Sequence, residues 1–273
     1  LHIGDTLIVH SDNTPGEPAK EDADGVILEP AHISCQQPEV FEFLSSGDTV
    51  SLNDGKISGV IRDVRGDQLD VEITKAKPTG SRLRGQRGMN FPDSDIQLPG
   101  LTAIDKTNLK FVAEFADAVS LSFIRKPADV ELLLAELDEL QADNLGLAIK
   151  VETKKGFKNL PKVMLTAMRR YPVAVMIARG DLAVECGWAR LAELQEEILW
   201  VCEAARIPVM WATQVLEQEA KKGLPSRAEI TDAAQSQRAD CVMLNKGPHI
   251  LAAIRTLDSI LRRMQTLRFR KSS

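Results

Sequence analysis

Long apolar runs are missing from this 273-residue chain. No stretch approaches the ~18 residues that a helix needs to span a bilayer. A basic flank followed by an apolar segment is also missing at the N-terminus, so no secretory leader is visible. Cysteine is sparse. Cys35, Cys186, Cys202 and Cys241 are scattered without a CxxC pair or metal-ligand spacing, which points to reduced, cytoplasmic thiols rather than a disulfide framework. Positive charge is not in excess: the net charge of −5 and a pI near 5.5 argue against nucleic acid or an anionic membrane as the main partner. A small anionic ligand remains compatible, because a local site can be positive or metal-filled. His2, His10, His32 and His249 read as incidental, and Trp188, Trp200 and Trp211 as packing residues.

What is present divides into two rhythms. Residues 1–91 contain short β-branched segments broken by Gly, Asp, Asn and Pro. Within them "LNDGKI" (52–57) is a hairpin signal, since Asp54-Gly55 can supply the positive φ angles of a tight turn. This half reads as a small all-β barrel or sandwich. Residues 92–273 alternate apolar strands with amphipathic helices. Strands are expected at 118–123, 145–152, 173–178, 207–212 and 240–244, and helices at 129–140, 159–170, 191–206, up to 237, and 250–265. Five βα units predict an α/β fold with a parallel sheet. Each expected strand ends in reactive side chains: Ser122 and Arg125, Lys150 and Glu152, Arg179 and Asp181, Thr213 and Gln214, Asn245 and Lys246. Function gathered at successive C-terminal strand ends is the mark of a TIM-barrel active face. The second half is therefore expected to be a partial (β/α)8 barrel, its last five units.

Lys150 and Glu152 flank Val151, and period-two alternation puts both on one face. Asp181 follows the next strand, and neighbouring strands lie about 4.8 Å apart. Two carboxylates with an ammonium beside them can hold Mg²⁺ and a phosphate-bearing substrate. Gly180 permits close backbone approach. A Lys-x-Glu pair at a strand end is, taken alone, more often a solvated salt bridge, and Arg-Gly-Asp alone is a chance tripeptide.

Several segments resemble the pyruvate kinase family. "VMIARGDLAVE" (175–185) is similar to its metal-binding strand IMVARGDLGVE, and "AIKVET" (148–153) to its SKIEN segment. "WATQVLEQ" (211–218) resembles CATQMLES, and "GLPSRAEITDAA" (223–234) resembles RPTRAEXSDVA. "LNDGKI" and "RGMNFPDSDIQLPGLTAIDK" (87–106) resemble segments of its mobile β-domain and the return to the barrel. The resemblance implies phosphoryl transfer between phosphoenolpyruvate and ADP, giving pyruvate and ATP, with Mg²⁺ (or Mn²⁺) and, in many members, K⁺. By motif, it implies that Lys150 stabilises the transferring phosphoryl group and the enolate. Glu152 and Asp181 bind the metal, and the backbone of Arg179 and Gly180 holds the substrate carboxylate. Thr213 sits beside the enolate carbon, and Ser122 lies near the floor of the site.

The departures are specific. The family's three βα units ahead of the β-domain have no counterpart here, and its SGETAKG turn is replaced by "NKGPHI" (245–250). Thr153 and Ala183 stand where the family has Asn and Gly. The chain starts at Leu1 rather than Met, and it is expected to be a fragment completed by an upstream barrel segment, or to pair as a homo-oligomer. The alternative to an enzyme is a non-catalytic relative acting as a metal- and carboxylate-binding or regulatory module. A metal-dependent lyase or aldolase acting on pyruvate-type acids is the weaker third reading.

Overall fold

Apolar–polar alternation builds the strands of the first hundred residues. They are β1 (Thr6–His10), β2 (Lys20–Glu21), β3 (Ile27–Glu29), β4 (Ala31–Ser34), β5 (Thr49–Leu52), β6 (Ile57–Arg65), β7 (Gln68–Lys75) and β8 (Met89–Asn90). Six of them form one sheet in the order β4-β1-β7-β6-β5-β8, while β2 and β3 pair separately. Alternate residues Leu7 and Val9, Leu69, Val71 and Ile73, and Ile57 and Ile61 point to one buried face and are almost inaccessible. Burying each such side chain contributes roughly 1.5–3 kcal/mol. The β5–β6 hairpin turns through three left-handed residues, Asn53, Asp54 and Gly55. Asn, Asp and Gly are the residues that tolerate that region best.

The computed structural model describes residues 1–271. They divide into two compact units, one ending at Pro99 and one beginning at Gly100. The second unit alternates helices and strands: α1 (Ala103–Phe115), β9 (Ala118–Leu121), α2 (Pro127–Glu139), β10 (Gly146–Val151), α3 (Lys154–Lys158), α4 (Leu160–Ala167), β11 (Val173–Ala178), α5 (Arg179–Cys186), α6 (Trp188–Ala205), β12 (Val209–Val215), α7 (Glu217–Lys222), α8 (Arg227–Gln235), β13 (Cys241–Leu244) and α9 (Ile250–Lys271). Its five strands are parallel and lie in the order β13-β12-β11-β10-β9. Each strand therefore neighbours the next in sequence, and the order never reverses as it does in a doubly wound sheet. Residues of β10 and β11 are buried on both faces with few exceptions, Lys150 among them. That pattern fits parallel strands covered by helices. No helix among the described residues is long and apolar enough to cross a membrane.

Local chemistry explains where the elements differ from the periodicity. The strand expected to reach Phe123 stops at Leu121, because Phe123 takes a left-handed φ of 51°. The helix expected over 159–170 is α4, which ends earlier, at Ala167, and carries Pro161 in its first turn, while the short α3 precedes it as a separate turn. Proline is accommodated in a first turn, where its missing N–H leaves no bond unmade. Helix α1, which the apolar pattern does not announce, starts at a capping box in which Thr102 and Asp105 satisfy each other's backbone N–H.

Candidate active site

The sheet register sets the stage. Val151 on β10 pairs with Ile177 on β11, and Ile177 in turn with Trp211 on β12. Glu152 thus lies one residue past the pairing of β10. Arg179, Gly180 and Asp181 open helix α5 directly at the end of β11. Thr213 and Gln214 lie near the end of β12.

The first half of the site is an ion pair whose carboxylate is buried and whose ammonium is half-buried. Lys150 Nζ lies 2.8 Å from Glu152 Oε1 and donates to Ser122 Oγ, also at 2.8 Å. The Phe123 backbone N–H donates to the second carboxylate oxygen, Oε2, at 2.6 Å. Glu152 is only 2% exposed, so this is no solvated surface pair. Taking the carboxylate out of water is offset by the ammonium and the backbone N–H that satisfy it. The loop carrying Ser122 is pinned by three further contacts. Thr153 Oγ1 donates to the Ile124 carbonyl at 3.2 Å, Asn159 donates to the Arg125 carbonyl at 2.7 Å, and Asp129 accepts from the Arg125 N–H at 2.8 Å. Gly156 completes the fit: a Cβ there would stand 2.2 Å from the Ile124 carbonyl oxygen. Thr153, where the resembled family has Asn, also caps α3 by accepting from Gly156 N–H at 2.9 Å.

The second half is centred on Arg179, which is 7% exposed. Its Nε donates to the Ala212 carbonyl at 3.0 Å, and Nη2 donates to Asp232 Oδ2 at 2.9 Å and to the Thr213 carbonyl. Nη1 bonds Asp232 Oδ1, completing a bidentate pair. The guanidinium lies over the buried Trp211 ring, 4.8 Å from its centroid, and Trp211 Nε1 also donates to Asp232 Oδ1 at 3.3 Å. Asp232 is delivered by α8, whose start is fixed by a capping box between Ser226 and Glu229. The Gly180 N–H donates to Thr213 Oγ1 at 3.2 Å. Thr213 and Gln214 both sit at left-handed φ, 66° and 62°. For a β-branched threonine this is a true outlier, and such strain of about 1–3 kcal/mol concentrates at functional sites.

The structure therefore brings Ser122, Lys150 and Glu152 together, and separately brings Arg179, Gly180 and Thr213 together. Asp181 is half-buried in the first turn of α5. The Arg179 side chain is turned away into Asp232 and Trp211, which leaves its backbone as the part available to a ligand. Asp232 lies in the resembled segment 223–234, which assigns it no role, and the Phe123 N–H carries no signal of its own in the sequence. The capping pattern Ser226-x-x-Glu229 fixes the register of α8 and so where Asp232 falls.

Glu152 and Asp181 offer hard carboxylate oxygens, the donor type that suits Mg²⁺ or Mn²⁺. Each Glu152 oxygen accepts one described bond and retains a further lone pair. The residues present thus fit such an ion. Among the described residues no group of three or more His, Cys, Asp or Glu converges as a metal cage. Mg²⁺ does not need one, since it keeps several waters or substrate oxygens.

A family model described as pyruvate kinase, barrel domain, matches residues 5–248. The pyruvate kinase of Bacillus licheniformis is 29% identical over 272 residues, covering 97% of this chain and 43% of its own length. That of Corynebacterium efficiens is 32% identical over 229 residues, covering 81% and 46% respectively. That of Hypocrea jecorina is 32% identical over 209 residues, covering 76% and 37%. The chain spans less than half the length of these relatives.

Proposed function

This chain belongs to the pyruvate kinase family, and on that premise we propose that it carries the metal-binding and phosphoryl-transfer face of a cytoplasmic phosphotransferase acting between phosphoenolpyruvate and ADP. The five parallel strands are read as the last five staves of an eight-stranded (β/α) barrel, and the first unit as its small all-β domain. The unbroken consecutive strand order supports that reading. An upstream segment, or a second copy, would cover the outer edges of β9 and β13.

The observation that carries the proposal is the Lys150–Glu152–Ser122 cluster at a strand end, in which Glu152 is buried, Lys150 half-buried and Ser122 exposed. An ammonium has three donors. Glu152 and Ser122 take two of them, leaving the third for a phosphoryl or enolate oxygen. In the reaction the phosphorus–enol oxygen bond breaks and a bond to the terminal phosphate oxygen of ADP forms. The enolate then takes a proton at its methylene carbon. Lys150 supplies fixed positive charge where the enolate develops, which is how preorganised sites lower such barriers. The Thr213 hydroxyl accepts from Gly180, so its own proton is free to be directed toward the carbon being protonated. The Arg179–Gly180 backbone at the start of α5 would hold the substrate carboxylate. Glu152 and Asp181 would hold Mg²⁺ (or Mn²⁺), which supplies neutralisation of phosphoryl and carboxylate charge.

One observation favours the second reading, a non-catalytic metal- and carboxylate-binding relative. The turn after β13 reads "NKGPHI" (245–250) where the resembled family has SGETAKG. The test is Mg²⁺-dependent pyruvate formation from phosphoenolpyruvate and ADP, measured on the native polypeptide that carries this chain. Lys150→Met is expected to lower kcat by at least ~10²-fold while Mn²⁺ binding persists. Turnover that survives Lys150→Met overturns the assignment of Lys150. No turnover in the unaltered protein, with Mn²⁺ binding intact, selects the second reading.

A further inference from the structure

The first unit holds a cluster that its scattered histidines do not announce. His10 ends β1 and His32 lies in β4. These strands pair in parallel with Ile8 opposite His32 and His10 opposite Ser34. The two histidines are therefore diagonal neighbours on one face of the sheet, opposite the face that buries Leu7 and Val9. His10 Nε2 lies 3.0 Å from His32 Nδ1. Asp12 Oδ1 stands 2.9 Å from the other nitrogen of the same ring, His10 Nδ1. That nitrogen is buried and has no aligned hydrogen-bond partner. The backbone beneath both rings is held on each side. Cys35 N–H donates to the His10 carbonyl at 2.8 Å, and Glu17 and His32 exchange two backbone hydrogen bonds of 3.1 and 3.0 Å. Gly16 packs so closely that a Cβ there would come within 2.6 Å of the His32 carbonyl oxygen.

The geometry points to a two-histidine site for a late first-row divalent cation, Cu²⁺ or Ni²⁺, ligated by His10 Nε2 and His32 Nδ1. With metal–nitrogen bonds of about 2.0–2.1 Å, the 3.0 Å separation subtends roughly 94° at the metal. That is close to the cis angle of the square-planar or tetragonal coordination these ions adopt, whereas tetrahedral zinc would need about 3.4 Å between the nitrogens. Asp12 presents its carboxylate 2.9 Å from His10 Nδ1, not aligned for a hydrogen bond in this structure but on the side of the ring away from His32. It favours the proton on His10 Nδ1 and leaves Nε2 as the ligand. The metal takes the place of the hydrogen shared between the rings, which moves to His32 Nε2, so neither imidazole loses a proton. No third His, Cys, Asp or Glu among the described residues completes a cage, which leaves the remaining positions to water or an outside ligand.

The test is calorimetric titration of the untagged chain with Ni²⁺ at neutral pH. It is done in a His2→Gln background, so that the N-terminal amine and His2 cannot chelate. The background is then low, because the chain has only four histidines. One saturable site per chain is expected. Asp12→Asn should weaken it about 10–100-fold, and His32→Gln at least as much. His249→Gln should leave it unchanged. Circular dichroism of the metal-free variants distinguishes a lost ligand from a lost fold, and His10→Gln provides a second, independent ligand deletion. Absence of a saturable site, or a site that survives both His10→Gln and His32→Gln in folded protein, would overturn the inference. The two rings would then share only a hydrogen.

Discussion

Arg179 places its charge between a carboxylate and an indole. Asp232 grips the guanidinium bidentately, Trp211 lies beneath it, and the carbonyls of Ala212 and Thr213 take further donors. The arrangement ties the start of α5 to the end of β12, where Thr213 is held in its left-handed conformation. Removing one partner of a buried pair leaves the other charge unmatched, at a cost of about 3–5 kcal/mol. Asp232→Ala is accordingly expected to lower the unfolding free energy of the second unit, obtained from urea melts, by about that amount. Arg179→Lys should also destabilise, since an ammonium cannot reproduce the planar fork or the stacking. A shift in Asp232→Ala below about 1 kcal/mol, the range of exposed pairs, would show that the pair does not bind these elements together.

Between elements, the polar links are fewer and more exposed. Glu196 of α6 bonds Arg238, which ends the short 3₁₀ turn after α8. The Arg238 guanidinium hydrogen-bonded to Glu196 holds that carboxyl below the usual carboxylate range. The folded state then releases the Glu196 proton more readily than the unfolded chain does. The stabilisation is fully present above the unfolded value of about 4.3 and is lost as pH falls through the lower, folded value. Its size is under about 1 kcal/mol, because both partners are partly solvated. Thermal unfolding between pH 7 and pH 3 should show Arg238→Gln melting lower than the parent at pH 7, with the gap closing in acid. A gap that is constant with pH would mean that the substitution acts through packing and not through the ion pair.

Across the whole molecule, what the sequence made legible was whatever repeats locally. The five strands of the second unit are visible because each is a short apolar run followed by an amphipathic helix. Lys150 and Glu152 are visible because period-two alternation and a strand end place them on one face. The Asp54-Gly55 turn is legible for the same reason. Contacts made across the chain were not. Asp232 meets Arg179 from 53 residues away, and only the folding of α8 onto β12 brings them together. His10 and His32 join through a parallel pairing of β1 with β4 that no local pattern encodes. The left-handed turn at Phe123, which aims a backbone N–H at Glu152, depends on a loop pinned by Thr153 and Asn159. The central claim is that the metal-binding carboxylates of the site, Glu152 and Asp181, are assembled within this chain. Electron paramagnetic resonance of Mn²⁺ added to the purified chain, with and without oxalate as an enolpyruvate mimic and beside Asp181→Ala, tests it most directly. The account predicts a specific Mn²⁺ site that oxalate tightens and Asp181→Ala removes, whereas no such site, or one indifferent to Asp181→Ala, would contradict it.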